Sequence, residues 1–412
     1  MDRRTFLKVT GGSAVLGSAG GLFAPHVARA QENKVVFGGS VPMSGAAAET
    51  GLNVLRGYEC AVKYINEEMG GIEFAGQNHQ LELQLFDDAS DPARATTLIQ
   101  RQVDEGIMFF LGSFGSNIVL PTCAITEAAG RLMVQAGGGS DLIFTQGRKR
   151  VFGLFPRASR QFVSSVDMFK RLEPTVETVS IIFTNDPFSR FQAEGAKAEI
   201  EGAGMQVLDF IELPAQVNDV TSVLSNIRQN RPDILVCNTH DETSILIARQ
   251  MVSTGTNVDM LYQTLGPQTA AFEEALGNYA NGVVAQAYWD ERAAYSGDYF
   301  GTAQTFADYY RANFDRELTY HMASGAACVV SYMEAAKRAD STDPDVLRDA
   351  LAGLDFECFY GRIRFTEEGD GDPALLGPLL IQRSEGEIEV IHPEAAATMA
   401  PIYPAPEWEE RA

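Results

Sequence analysis

Short apolar runs alternate with amphipathic stretches along most of this chain, and the series starts afresh near its middle. Val35-Val36-Phe37-Gly38-Gly39-Ser40-Val41 reads as a strand entering the Pro42–Gly45 turn, and behind it Leu52, Leu55, Tyr58, Val62, Ile65 and Met69 recur at three- and four-residue steps as far as Gly70-Gly71. That spacing marks one face of a helix, whereas an unbroken apolar run of a few residues marks a strand covered on both sides. Strands are predicted over 81–86, 107–111 and 132–134, with helices over 92–103 and 118–129 between and after them. From Val151–Phe155 onward the pattern repeats, with helices over 161–171, 189–201, 220–229 and 243–252 and strands over 179–183, 205–210, 234–237, 260–262 and 283–287. Such alternation closes as parallel sheets with helices on both faces. The predicted fold is therefore α/β, with two doubly wound, parallel-sheet (Rossmann-like) lobes. Helices over 302–313, 323–338 and 344–351 and short strands at 363–365, 379–383 and 388–391 complete it, and the tail 401–412, with three prolines, is expected to be flexible.

The N-terminus carries a different signal. Arg3, Arg4 and Lys8 precede a short Gly- and Ala-rich stretch, and Ala28-Arg29-Ala30 is a small-x-small cleavage pattern. The apolar stretch is too short, and too broken by glycine, for the ~20 apolar residues of a membrane span. Residues 1–30 resemble a twin-arginine (Tat) signal peptide, which implies export by the Tat translocon, cleavage near Ala30 and a soluble periplasmic product. No cysteine lies in residues 1–30 to take a lipid anchor. The remaining chain has room for two domains of ~100–200 residues each.

Several function classes are disfavoured. With 55 acidic against 32 basic residues and a formal net charge of −23, the chain repels phosphate backbones and anionic lipid surfaces. The five cysteines and five histidines are scattered, with no C-x-x-C or H-E-x-x-H, so no metal site and no disulfide is assigned. The G-x-S-x-G elbow, the P-loop and a G-x-G-x-x-G between strand and helix are all missing, and no cofactor or catalytic residue is assigned.

Two strand ends stand out. Strand 107–111 stops at Gly112-Ser113-Phe114-Gly115-Ser116-Asn117 with a helix directly behind, and strand 132–134 runs into Ala136-Gly137-Gly138-Gly139-Ser140-Asp141. Open α/β sheets take ligands beyond the carboxyl ends of their strands. Free helix N–H groups, a hydroxyl and glycine-lined backbone suit a carboxylate, so Ser116, Asn117, Gly137, Gly138, Gly139 and Ser140 form a candidate anion cradle. The competing reading makes Ser116 or Asn117 a helix cap and the glycines plain turns. His240 and Asp241, after strand 234–237, suggest either a pocket wall and helix cap or a general base, but no nucleophile, metal or second acid accompanies them.

Val41-Pro42-Met43-Ser44-Gly45, the stretch Ile65-Asn66-Glu67-Glu68-Met69-Gly70-Gly71-Ile72, Asp87-Asp88-Ala89-Ser90-Asp91-Pro92, Phe110-Leu111-Gly112-Ser113, Asn185-Asp186-Pro187-Phe188-Ser189 and Phe359-Tyr360-Gly361 with Arg364-Phe365 follow in order along the chain. Together they resemble the leucine/isoleucine/valine-binding protein family, the type I periplasmic solute-binding proteins of ABC importers. The resemblance implies two lobes joined by three hinge crossings, near Phe155–Arg160, Gln286–Asp290 and Glu357–Gly361, with 31–156 plus 288–358 in lobe 1 and 157–287 plus 359–400 in lobe 2. It implies that Ser116 and Gly137 through Ser140 hold the ligand's α-carboxylate and α-ammonium. Thr50 stands where the family often has an aromatic residue, Phe188 where it has a tyrosine, and the neutral Gln268 near its ammonium-binding glutamate. The implied function is capture of an amino acid (branched-chain or related) or an analogous small carboxylate by a monomer that delivers it to an inner-membrane ABC permease. A ligand-sensing module for a membrane receptor is the alternative, and an amide or ester hydrolase using His240 and Asp241 ranks last.

Overall fold

The computed structural model describes residues 33–315 and 317–411; the predicted signal peptide lies outside the described residues. The first series of elements is β1 (Lys34–Val41), α1 (Ala48–Lys63), β2 (Ile72–Phe74), β3 (Gln77–Asp87), α2 (Pro92–Asp104), β4 (Phe109–Leu111), α3 (Ser116–Ala128), β5 (Leu132–Gln135), α4 (Asp141–Phe144) and β6 (Val151–Gly153). Its strands form one sheet in the order β2-β3-β1-β4-β5-β6, parallel except for the β2–β3 hairpin. That hairpin was hidden in the sequence because its turn, Ala75-Gly76, takes positive φ at both positions (51° and 68°) without an Asn-Gly or Asp-Gly signature.

The second series is α5 (Val163–Phe169), β7 (Thr178–Thr184), α6 (Pro187–Gly202), β8 (Gln206–Leu213), α7 (Thr221–Asn230), β9 (Ile234–Asn238), α8 (Asp241–Thr254), β10 (Met260–Gln263), α9 (Ala270–Leu276) and β11 (Val284–Ala287). The chain then makes a small hairpin, β12 (Ser296–Gly297) with β13 (Gly301–Thr302), followed by α10 (Ala303–Asn313), α11 (Tyr320–Ala339) and α12 (Pro344–Ala352). A second hairpin, β14 (Asp355–Cys358) with β15 (Gly361–Arg364), precedes β16 (Leu379–Ser384) and β17 (Glu387–His392). The second sheet runs β17-β16-β11-β10-β9-β7-β8, and its last two strands close one edge antiparallel.

Buried polar contacts fix the helices of lobe 1. Gln102 of α2 is fully buried and brackets Gly39 of β1, accepting from its N–H at 2.7 Å and donating to its carbonyl at 3.0 Å. A backbone pair left unpaired there would carry the full cost of desolvation. On the other face α1 meets α11 backbone to backbone: a Cβ on Gly57 would lie 2.2 Å from the Met322 carbonyl, and one on Gly325 2.5 Å from that of Val54. The two helices are thereby locked as one unit.

The chain crosses between sheets from Gly153 to Val163 and from Ala287 to Ala303. The third crossing differs from expectation. Instead of lying near Glu357–Gly361, it lies between Gly371 and Leu379, so residues 359–371 belong with lobe 1. The Phe359 ring stacks on Phe306 of α10 at 4.3 Å, Phe365 packs on Phe152, and the Gly153 and Gly371 N–H groups donate to Gly369 and Phe155 carbonyls at 2.8 and 3.0 Å. These apolar and ladder contacts hold the segment on β6 for another ten residues or so.

The tail is a second correction. Residues 401–411 lie along lobe 2, with Trp408 only 3 % exposed, its indole N–H donating to the Thr256 carbonyl at 2.8 Å and Ala405 N–H to that of Asp259 at 2.7 Å. Three prolines made the segment look loose, yet a buried tryptophan brings more apolar area than the extended backbone loses in freedom. Trp408→Ala is expected to lower unfolding free energy by about 3 kcal/mol; an unchanged urea midpoint would remove the tail from the core.

Candidate functional site: an aromatic chamber between the lobes

In both sheets the strand order reverses next to the first strand of the unit, between β1 and β4 and between β7 and β9, and these reversals open crevices at the carboxyl ends of the strands. The two crevices face each other. Between them lies a small chamber lined by residues of both lobes.

Lobe 1 supplies Ser116 at the start of α3, and Gly137 and Gly139 beyond β5. Gly115, with φ +95°, makes the turn, and its N–H donates to the Gly137 carbonyl at 2.9 Å. Ser116 Oγ accepts from the N–H groups of both Gly139 and Ser140 at 3.0 Å. The Gln135 side chain accepts from Gly137 and Gly138 at 2.9 and 2.6 Å and donates back to the Gly138 carbonyl at 2.9 Å. For the second loop the expected cradle of free amides is corrected: the N–H groups of residues 137–140 are bonded within the protein. The Ser116 hydroxyl proton remains open to a ligand, since both bonds use its oxygen as acceptor.

The other expected residues divide between wall and surroundings. Phe188 and His240 line the chamber. Gly138 does not, because a Cβ there would point at Ile143 and Val119. Asn117 is exposed in the outer vestibule, which also includes Asp186 and Asp241. Ser140 is fully buried and its Oγ has no hydrogen-bond partner. Gln268 braces loops, donating to the Thr264 and Gln286 carbonyls at 2.8 and 2.5 Å.

Thr50 and Asp241 meet across the cleft. Thr50 Oγ1 of α1 donates to Asp241 Oδ2 at the start of α8 at 2.6 Å, a direct bond between lobes. Burial raises the Asp241 carboxyl above the ordinary aspartate range, more than the Thr50 bond lowers it, and its Oδ1 is shielded without a partner. Phe188 and Leu265 of lobe 2 pack against the apolar core of lobe 1, so the lobes are closed on each other.

Asp186 caps α6, accepting from Phe188 and Ser189 N–H groups at 2.9 and 3.0 Å with Pro187 in the first turn, and sits 3.4 Å from His240 Nε2. Burial alone would raise its carboxyl, but the His240 charge and the cap hold it well below the usual range. Burial alone would lower His240, but Asp186 outweighs it and raises the imidazole, whose side chain is 37 % exposed.

Sequence reasoning missed most of the wall: Phe114, Phe155, Tyr288, Tyr320 and His321, with Gln161, Leu265 and Gln286 beside them. Phe155 and Tyr288 tilt together at 4.3 Å, Tyr320 lies 5.9 Å from Tyr288 and stacks on His321 at 3.9 Å, and His321 meets Phe114 edge-on at 5.5 Å. The result is a continuous aromatic belt. Burial pulls His321 down to about 3, so its ring is neutral, and its Nδ1 and the Tyr288 hydroxyl are buried without partners. Phe114 lay within a loop already read as facing a ligand, and Phe155 and Tyr288 within expected hinge crossings; Tyr320 and His321, at a helix start, carried no such signal.

Among the described residues no group of three or more His, Cys, Asp or Glu side chains could hold a metal ion, and no helix is long and apolar enough to cross a membrane. Residues 34–379 match the family described as periplasmic binding protein. The chain belongs to that family. The leucine-, isoleucine-, valine-, threonine- and alanine-binding protein of Pseudomonas aeruginosa is 24 % identical over 352 residues, 84 % of this chain and 89 % of that protein. The leucine-binding protein LivK of Thermotoga maritima superposes with a TM-score of 0.75 at 21 % identity, covering 86 % of this chain and 97 % of that one. A solute-binding protein of an ABC transporter from R. palustris, in complex with benzoate, gives 0.74 at 17 % identity, covering 89 % and 98 %. The architecture is that of type I periplasmic binding proteins.

The Asp186–His240 pair sets a pH window. The stability from lowered Asp186 is present above its unfolded pKa of ~4 and lost as pH falls through the depressed folded value; that from raised His240 is present below ~6.5 and lost as pH rises through the elevated one. Unfolding free energy is therefore expected to fall as pH rises above about 6.5 more steeply in the native chain than in His240→Gln, as read by urea titrations at each pH. Parallel slopes would show the pair to be uncoupled.

Proposed function

We propose that this chain is the substrate-binding component of an ABC importer, exported to the periplasm through a Tat signal that is cleaved near Ala30. It captures a small carboxylate, an amino acid or an analogous acid, in the cleft and hands it to an inner-membrane permease. The carrying observation is the Thr50–Asp241 hydrogen bond at 2.6 Å beside a chamber enclosed by both lobes. A ligand enters such a chamber only when the lobes part, and contacts made only in the closed form drive closure. The names of similar proteins support the ligand class: leucine, isoleucine, valine, threonine and alanine for the Pseudomonas relative, leucine for the Thermotoga structure, and benzoate for the R. palustris structure.

In this reading Ser116 donates its hydroxyl proton to the ligand carboxylate, held in place by the two amides it accepts from, and Phe188 and His240 arrive from lobe 2 on closure. The hydrolase reading finds little support, because Ser116 is bonded to backbone N–H groups, Asp241 to Thr50 and His240 to a helix cap.

Calorimetry of the ligand-free protein against small carboxylates tests the proposal, and absence of any binder would overturn it. Thr50→Val keeps the shape and removes the donor across the cleft; it is expected to weaken ligand binding by about 1–2 kcal/mol, with the melting temperature of the ligand-free protein little changed. Ser116→Ala is expected to weaken it by about 1.5–3 kcal/mol, and an unaltered affinity would take Ser116 out of the site.

A further inference from the structure

An α-amino acid brings two opposite charges into its site, and this chamber provides for one. No carboxylate belongs to its wall. Of the two acidic side chains beside it, Asp186 is engaged with the α6 cap and His240, and Asp241, in the outer vestibule, gives one oxygen to Thr50 while the other is shielded. Of the amide side chains in the wall, Gln161 is committed to the protein. Gln161 Oε1 accepts from Gln192 at 2.9 Å and from Gln286 at 3.4 Å, while Gln161 Nε2 donates to the Pro156 carbonyl at 2.6 Å. An ammonium placed here would shed its water and find no carboxylate in the wall, an unfavourable way to bury a charge.

A carboxylate fares differently. It meets the unspent Ser116 proton, and the Asp186 side chain favours the charged form of the nearby His240. Around that polar end stand the rings of Phe114, Phe155, Phe188, Tyr288, Tyr320 and His321, whose faces and edges suit an offset or edge-on aromatic guest. The Tyr288 hydroxyl and His321 Nδ1, buried and unpartnered, offer further polar contacts to a ring substituent.

We propose that the chamber selects an aromatic monocarboxylate lacking an α-ammonium group, with Ser116 donating to its carboxylate and the aromatic belt holding its ring. This rests on the reading of the cleft as a small-carboxylate site and narrows it.

Matched probe pairs separate the two. Calorimetry on ligand-free protein compares 3-phenylpropionate with L-phenylalanine, 4-methylpentanoate with L-leucine, and benzoate with all four; each pair differs by the ammonium alone. The ammonium-free acids are expected to bind at least about 100-fold more tightly than their amino-acid partners, as for a buried charge without a counter-ion, with benzoate or 3-phenylpropionate tighter than 4-methylpentanoate. An amino acid that binds as tightly as its ammonium-free partner overturns the inference and leaves the carboxylate receptor standing. No binding by any probe, to protein with an unaltered thermal melt, overturns both. Phe188→Leu keeps an apolar wall and removes a ring; it is expected to weaken benzoate about fivefold and 4-methylpentanoate hardly at all. Equal effects on the two, or none on benzoate, remove ring recognition from the proposal.

Discussion

Everything in the lobe-1 half of the cleft hangs on one hydroxyl oxygen. Ser116 Oγ accepts two N–H groups from the loop beyond β5, and with the Gln135 side chain it converts two separate strand-to-helix junctions into a single rigid surface. A loop of three consecutive glycines would otherwise sample many conformations, and each buried N–H left unbonded would cost about 1–3 kcal/mol. Because the oxygen does the structural work, the proton is left for a guest. Polar economy of this kind lets a serine be both framework and contact.

The facing half is built differently. There a half-buried aspartate at a helix N-terminus both caps α6 and steadies an imidazole, so a charge that belongs to the fold also sets the electrostatic sign near the chamber. The wall between the halves is aromatic and comes largely from crossing segments and the start of α11, neither of which belongs to a sheet. Rigid strand ends thus carry the polar anchor, and the segments that change direction between lobes carry the shape.

The regular elements were legible because period-2 and period-3.6 patterns are local: all five strands read from the repeat over 179–287 reappear in the second sheet within a few residues. Ser116, Gly137, Gly139 and His240 followed from the strand ends, and Phe188 from the family resemblance. What sequence did not disclose depends on partners far along the chain. Gln268 also braces two loop carbonyls through its amide nitrogen, and the Trp408 tail looked loose, yet Thr256 and Asp259 receive it. The third crossing was misplaced because Phe359 and Phe365 declare their lobe only through the rings they meet. Tyr320 and His321 sit at the head of an apolar helix, where nothing local separates a core residue from a pocket residue.

The close seat of α1 on α11, permitted by Gly57 and Gly325, has a wider effect. One helix bears Thr50, the other begins with Tyr320 and His321. The clasp and part of the sieve thus ride on a single stiff lever, so a shift that widens the room for cargo also alters how firmly the jaws hold, and neither property can drift through evolution without dragging the other.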